Sequence, residues 1–201
     1  PIWTYNTGNV TITSVSISGD GNYMVTGSGE VSEGSELYFF NHNSSTPIWH
    51  YNTAASVDSV SISFNGSYVT ATSGGNLYLF ETENSTPSWT RSGPDIAVIS
   101  QNGKYIVAKD NTKVMLFETD SSTPSWSYES NAYIYSIDIS YEGEYLVAGR
   151  YHANRGVYPD SMGKLLYFHR NSSSPEWVHS SYDQYETVSI SHDGEYVVAG
   201  V

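Results

Sequence analysis

With 8 Lys and Arg against 21 Asp and Glu, this chain of 201 residues carries a formal charge of −13. That balance excludes nucleic acid and anionic membrane surfaces as partners, because both draw on clustered cations. The absence of Cys removes disulfides, thiolate zinc sites and cysteine nucleophiles, and no apolar run approaches the ~18 residues of a membrane-spanning helix.

The five Trp all fall in one recurring phrase, Pro-x-Trp, at Trp3, Trp49, Trp89, Trp126 and Trp177, with steps of 46, 40, 37 and 51 residues. Repeats of that period imply propeller blades or solenoid units. The first full unit reads as four strands. Thr13–Ser18 alternates Val15 and Ile17 with Ser, which predicts strand A; the turn Gly19-Asp20-Gly21-Asn22 then returns the chain along strand B, Tyr23–Gly27. Residues 30–36 read as a loop. Leu37–Phe40 is apolar on both faces, as a strand covered on both sides should be, and gives strand C. Pro47–Tyr51 gives strand D, with the proline expected at the start of an edge strand because it lacks an N–H.

The plan recurs through Ser59–Ser63, Tyr68–Ala71, Leu77–Phe80 and Trp89. It continues with Ala97–Ser100, Tyr105, Val114–Phe117 and Trp126, then with Ser136–Ser140, Tyr145, Leu165–Phe168 and Trp177. The last copy holds only Thr187–Ser191 and Val197–Gly200. The expected fold is all-β, a β-propeller of four-stranded antiparallel blades with about five repeat units. One blade is incomplete, having A and B strands at the C-terminus and a D strand at the N-terminus, around Trp3. Residues 1–201 are read as one propeller domain or part of a larger one, with units near 1–7, 8–52, 53–91, 92–129, 130–180 and 181–201.

The order Ser-Ile-Ser-x-Asp-Gly-x-Tyr-Val-Val-Ala-Gly, then Leu-Tyr-x-Phe, then Pro-x-Trp-x-Tyr resembles the WD40-like and PQQ-like propeller repeats of many prokaryotic surface proteins. The Gly-His pair and Trp-Asp ending of true WD40 repeats are absent, and Ser-Thr-Pro replaces the Thr-Gly-Lys usual in PQQ-like ones. The resemblance implies that D–A and B–C loops share one face. It also suggests a quinoprotein dehydrogenase as the enzyme alternative, but the vicinal cysteines of those enzymes are missing here.

Aligned at the start of strand A stand Thr13, Asp58, Asp95, Tyr135 and Glu186. Carboxylates contributed by several blades are what a Ca²⁺ or Mg²⁺ site requires; solvated loop charge is the other reading. The long B–C segment of the fourth unit, 150–164, contains Tyr151, His152, Arg155 and Tyr158, a candidate contact patch that Tyr133, Tyr182 and Tyr185 would extend, or else a tolerated insertion. Asn-x-Ser/Thr occurs at Asn9, Asn43, Asn65, Asn84 and Asn171, read either as glycosylation acceptors or as turn chemistry. No His-x-His, His-Glu-x-x-His or Gly-x-Ser-x-Gly pattern is present, so no metal, cofactor or catalytic residue is assigned.

Two functions follow as expectations. The first is a non-enzymatic structural or protein-interaction module, extracellular or on a cell surface, whose partner is another protein or copies of itself joined through the incomplete blade. The second is a propeller that binds a divalent cation or a glycan, or is quinoprotein-like, at the acidic mouth of its channel. Any targeting signal is expected to have been removed or to lie outside this sequence.

Overall fold

The computed structural model describes residues 2–8, 10–29, 34–151 and 162–201. These residues are all-β, with no helix. The first sheet holds β1 (Thr11–Ile17), β2 (Tyr23–Gly29), β3 (Ser35–Asn41) and β4 (Trp49–Thr53), and the second β5 (Val57–Ile62), β6 (Tyr68–Ser73), β7 (Asn76–Glu81) and β8 (Trp89–Ser92). The third is β9 (Ile96–Ile99), β10 (Tyr105–Lys109), β11 (Lys113–Glu118) and β12 (Trp126–Glu129), and the fourth β13 (Tyr133–Ile139), β14 (Tyr145–Tyr151), β15 (Gly163–His169) and β16 (Trp177–Ser181). The fifth has two strands, β17 (Thr187–Ile190) and β18 (Val197–Gly200). Strands follow one another across each four-stranded sheet in sequence order, the meander expected for propeller blades. The chain divides into two compact units, Pro1–Gly103 and Lys104–Val201.

One turn design joins strand A to strand B. Ser18 N–H donates to Tyr23 O at 2.9 Å and Gly21 N–H to Ser18 O at 2.9 Å, while Ser18 Oγ accepts from Tyr23 N–H at 3.0 Å. The same three bonds recur at Ser63–Tyr68, Ser140–Tyr145 and Ser191–Tyr196. The glycine is obligatory because its φ is positive, +73° at Gly21 and +73° at Gly66, a region costly for any residue with a Cβ.

The prolines sit earlier than expected. Pro47 lies in the turn and β4 begins at Trp49, because the residue after each proline delivers the first returning bond. Ile48, Ser88, Ser125 and Glu176 donate N–H to Phe39 O, Leu79 O, Leu116 O and Tyr167 O at 2.7, 2.7, 2.7 and 2.8 Å.

Successive repeats are fastened by the tryptophans. Trp49 stacks on Phe80 of the second sheet with ring centroids 5.4 Å apart, and its Nε1–H donates to Thr82 O at 2.8 Å. Trp126 does the same with Phe168 (5.6 Å) and Arg170 O (2.6 Å). Tyr51 and Tyr128, two residues on from each Trp, meet the same Phe edge-on at 5.1 and 5.3 Å. Strand A adds a second tie that matters because it is an edge strand, whose outward N–H groups need partners. Ser14 Oγ accepts from Val60 N–H at 3.0 Å, Ser61 Oγ from Ile99 N–H at 3.3 Å and Ser136 Oγ from Val188 N–H at 3.1 Å.

The outer strand expected around Trp3 does not form: residues 2–7 carry no strand. Among the described residues no C strand pairs with this segment to give it a ladder. Its side chains nevertheless take up the interlocking position, with Trp3 stacked on Phe40 at 5.6 Å and Nε1–H donating to His42 O at 2.7 Å, and Tyr5 edge-on to Phe40 at 5.2 Å. In the last four-stranded sheet Trp177 is 41% exposed and, among the described residues, stacks only on Tyr167 of its own sheet, at 4.9 Å.

These environments predict unequal costs for one substitution. Trp49→Ala removes a buried ring and its hydrogen bond and should cost about 3–5 kcal/mol, whereas Trp177→Ala should cost under about 1 kcal/mol. Denaturant unfolding of both variants checks the ordering, and equal losses would contradict the interlocking role.

Candidate interaction surfaces

The aligned positions at the start of strand A share a backbone device. The β1–β2, β5–β6 and β13–β14 ladders each shift register at one residue, Thr13, Asp58 and Tyr135, which marks a β-bulge that re-aims the side chain. Asp95 and Glu186 directly precede β9 and β17. Thr13 is spent on structure, its Oγ1–H donating to Val57 O at 2.6 Å. Asp58 is exposed at its surface yet holds its carboxyl above the ordinary carboxylate range, first through partial desolvation and then through repulsion from Asp95, against one bond from the Gly74 N–H. The structure therefore brings Asp58 and Asp95 within electrostatic reach. Among the described residues no cluster of three or more His, Asp or Glu is arranged to hold a metal.

Of the expected contact patch, Tyr133 and Tyr151 come together, and Tyr135 from the aligned strand starts joins them. Tyr133 pairs with Tyr151 across β13–β14, and Tyr135 meets Tyr151 edge-on at 5.7 Å. Tyr182 is 86% exposed in the segment between β16 and β17, while Tyr185 is buried, with its hydroxyl 2.5 Å from His179 Nδ1. His152, Arg155 and Tyr158 lie outside the described residues. The loop reading itself needs correction at both ends, since Arg150 and Tyr151 belong to β14 and Lys164 to β15. Arg150 is 3% exposed and so is not available to a surface patch; a cation at the end of an apolar run reads as a loop start because buried charges are rare. Lys109, at the end of β10, is buried in the same way.

Asn43, Asn65, Asn84 and Asn171 are exposed; Asn9 lies outside the described residues. Asn65 also has a turn role, its Oδ1 accepting from Ser67 N–H at 3.1 Å as Asp20 Oδ1 accepts from Asn22 N–H at 3.0 Å.

The sequence reading missed the two end faces. Val15 and Ile17 on β1 are 68% and 59% exposed, whereas their counterparts Val60 and Ile62 are 7% and 1% exposed. Tyr196, directly before β18, and Val198 on β18 are 70% and 72% exposed, against 0% for Val25 and Val147 at the place of Val198. A regular contact is also missing at each end. Tyr23 lies over Gly66, Tyr68 over Gly103, Tyr105 over Gly143 and Tyr145 over Gly194, so closely that a Cβ on the glycine would meet the ring. Among the described residues no side chain lies over Gly21, and Tyr196 covers no glycine.

Comparison with known proteins agrees with this architecture. Residues 1–30 match the family described as WD domain, G-beta repeat. No curated protein sequence matches the chain. Among solved structures it is similar to the hydrazine synthase of Kuenenia stuttgartiensis, with a TM-score of 0.75 over 96% of this chain at 13% identity. The chain spans 56% of that structure's length, and at such identity the likeness is one of fold alone. The repeated four-stranded antiparallel sheets and the WD repeat match together define a WD40-like propeller fold; the family match is to the WD repeat rather than to the PQQ-like one.

The Asp58 carboxyl gives a pH prediction. A raised folded-state pKa means that the folded chain binds the proton more tightly, so Asp58 weakens the fold as pH rises through the window above the ordinary carboxylate value. Asp58→Asn should be at least as stable as the wild type at pH 7 and should lose that advantage below the carboxylate range. Thermal unfolding at pH 3–7 tests this, and an Asn variant less stable at pH 7 would refute it.

Proposed function

We propose that this chain is a non-enzymatic protein-interaction or structural module, working outside the cell or on its surface, that recognises protein through the uncovered faces of its first and last sheets. The observation that carries this is the contrast between Val15, Ile17, Tyr196 and Val198 and their buried counterparts in the inner repeats. Apolar side chains exposed together at positions built for packing are the mark of an interface. Copies of the chain are among its partners, because the two faces are complementary: Tyr196 projects where an inner Tyr covers a glycine, and Gly21 is the glycine left uncovered. Such a contact is head-to-tail. The exposed Asn43, Asn65, Asn84 and Asn171 support a location where sequons are glycosylated.

Sedimentation velocity across a concentration series tests the self-association. The average mass should rise with concentration, and Val15→Asp or Tyr196→Ala should abolish the rise while leaving the unfolding temperature within a few degrees. A chain that stays monomeric up to about 0.1 mM overturns it. A second reading, a divalent cation or glycan at the acidic strand starts, has the mutual repulsion of Asp58 and Asp95 in its favour. It requires Ca²⁺ or a glycan to stabilise the wild type and not Asp58→Asn.

A further inference from the structure

We propose that the cleft between the first and second sheets is a binding site for a guanidinium group, the head of an arginine side chain. The site goes beyond the interaction-module reading and uses neither of the end faces on which that reading rests.

The cleft has a volume of about 460 Å³, and its lining includes Tyr23, Phe39, Ile48, Glu81, Thr82 and Glu83. The same place in the repeat recurs between the third and fourth sheets, as a cleft of about 270 Å³ whose lining includes Tyr105, Leu116, Trp126 and Arg170. Three contacts show that the two are equivalent. Trp49 Nε1–H donates to Thr82 O as Trp126 Nε1–H donates to Arg170 O, at 2.8 and 2.6 Å. Thr82 N–H donates to Ser67 O at 3.0 Å, and Arg170 N–H to Glu144 O at 2.8 Å. Tyr23 covers Gly66, and Tyr105 covers Gly143. Thr82 therefore stands where the other cleft has Arg170.

Between the third and fourth sheets the chain supplies its own cation. The guanidinium carbon of Arg170 lies 5.1 Å from the centroid of the Tyr105 ring, inside the ~6 Å reach of a cation–π contact, and its Nη1 donates to Glu142 O at 3.4 Å. The first cleft presents the equivalent ring, Tyr23, and the equivalent turn residue, Asn65. Thr82 is too short to fill the space that Arg170 fills, and its hydroxyl donates instead to Gly66 O at 2.6 Å, which holds it against the turn.

The charges of the two clefts differ in the sense that a cationic ligand requires. Glu81 and Glu83 replace His169 and Asn171, and among the described residues lining the first cleft none is Lys, Arg or His. Glu81 stands opposite Tyr68 across β6–β7 and accepts from Ser88 Oγ at 3.3 Å, which orients its carboxylate. A guanidinium suits these groups better than an ammonium does. It is planar and weakly hydrated, so it lies against an aromatic face, and its forked donors match a carboxylate. Phe39 and Ile48 add apolar wall for the methylenes that carry it.

The test titrates the whole chain with acetyl-Gly-Arg-Gly-amide and with ethylguanidinium, which carry the same charge, and follows backbone amide shifts. The Arg peptide should bind saturably with a Kd of about 1 mM or below, with the largest shifts at Gly66, Ser67 and Glu83. The neutral citrulline peptide and the Lys peptide should bind about tenfold more weakly or worse. Thr82→Arg lets the chain fill its own cleft and should abolish binding, whereas Thr90→Arg, the same change of charge at an exposed position of β8, should leave it intact. If Thr82→Arg fails to fold, Glu81→Gln combined with Glu83→Gln, both exposed, carries the test and should weaken binding about tenfold. Binding of the peptide alone assigns the guanidinium to a polypeptide and equal binding of ethylguanidinium assigns it to a small solute; either outcome supports the site. No saturable binding, equal binding of the citrulline or Lys peptide, shifts spread over the other sheets, or an equal loss in Thr90→Arg would each overturn it.

Discussion

The stack of a tryptophan on the phenylalanine of the following repeat is the contact on which the rest of this structure depends. A single four-stranded sheet has two apolar faces and cannot bury both by itself. In the first two sheets that problem is met by Phe39 and Trp49, which lie face to face within one sheet at 5.0 Å, while the same indole continues onto Phe80 at 5.4 Å. The hydrogen bond from Nε1–H to a carbonyl of the next repeat fixes the ring's orientation, so that apolar burial and polar satisfaction are met by one side chain. The serines of β1, β5 and β13 supply the corresponding tie from strand A, each accepting an N–H from the following repeat.

Much of this was legible in the residues. Alternating Ser with Val or Ile located strand A in the first, second and last repeats, a Gly step before a Tyr located each A–B turn, and Pro-x-Trp located the fourth strand of each four-stranded sheet to within two residues. What stayed hidden depended on neighbours that periodicity cannot see. Trp3 carries the same phrase as Trp49, yet its segment forms no strand because strand order needs a ladder partner and side-chain docking does not. Arg150 looked like the start of a loop because nothing in Val-Ala-Gly-Arg signals that the cation lies in a sheet with 3% exposure.

The candidate sites were less legible than the fold. Lining up the strand starts did identify a structurally equivalent set, and the bulges at Thr13, Asp58 and Tyr135 supply the reason. Equivalence in a repeat is not convergence on a ligand, however, and of the three carboxylates only Asp58 and Asp95 are brought into electrostatic contact within one unit. The end faces escaped notice for a different reason. Val15 and Ile17 are indistinguishable by sequence from Val60 and Ile62; only the presence or absence of a neighbour separates a core residue from an exposed one.

The direction of the Tyr–Gly contact has a consequence for how such a chain changes over generations. Every inner tyrosine reaches forward to the next glycine, so each repeat offers one kind of surface behind and the matching kind ahead. Duplicating or excising a whole repeat therefore joins a forward surface to a backward one and leaves no mismatched seam. Gene duplication can add a sheet at a time between two inner repeats without inventing a new contact.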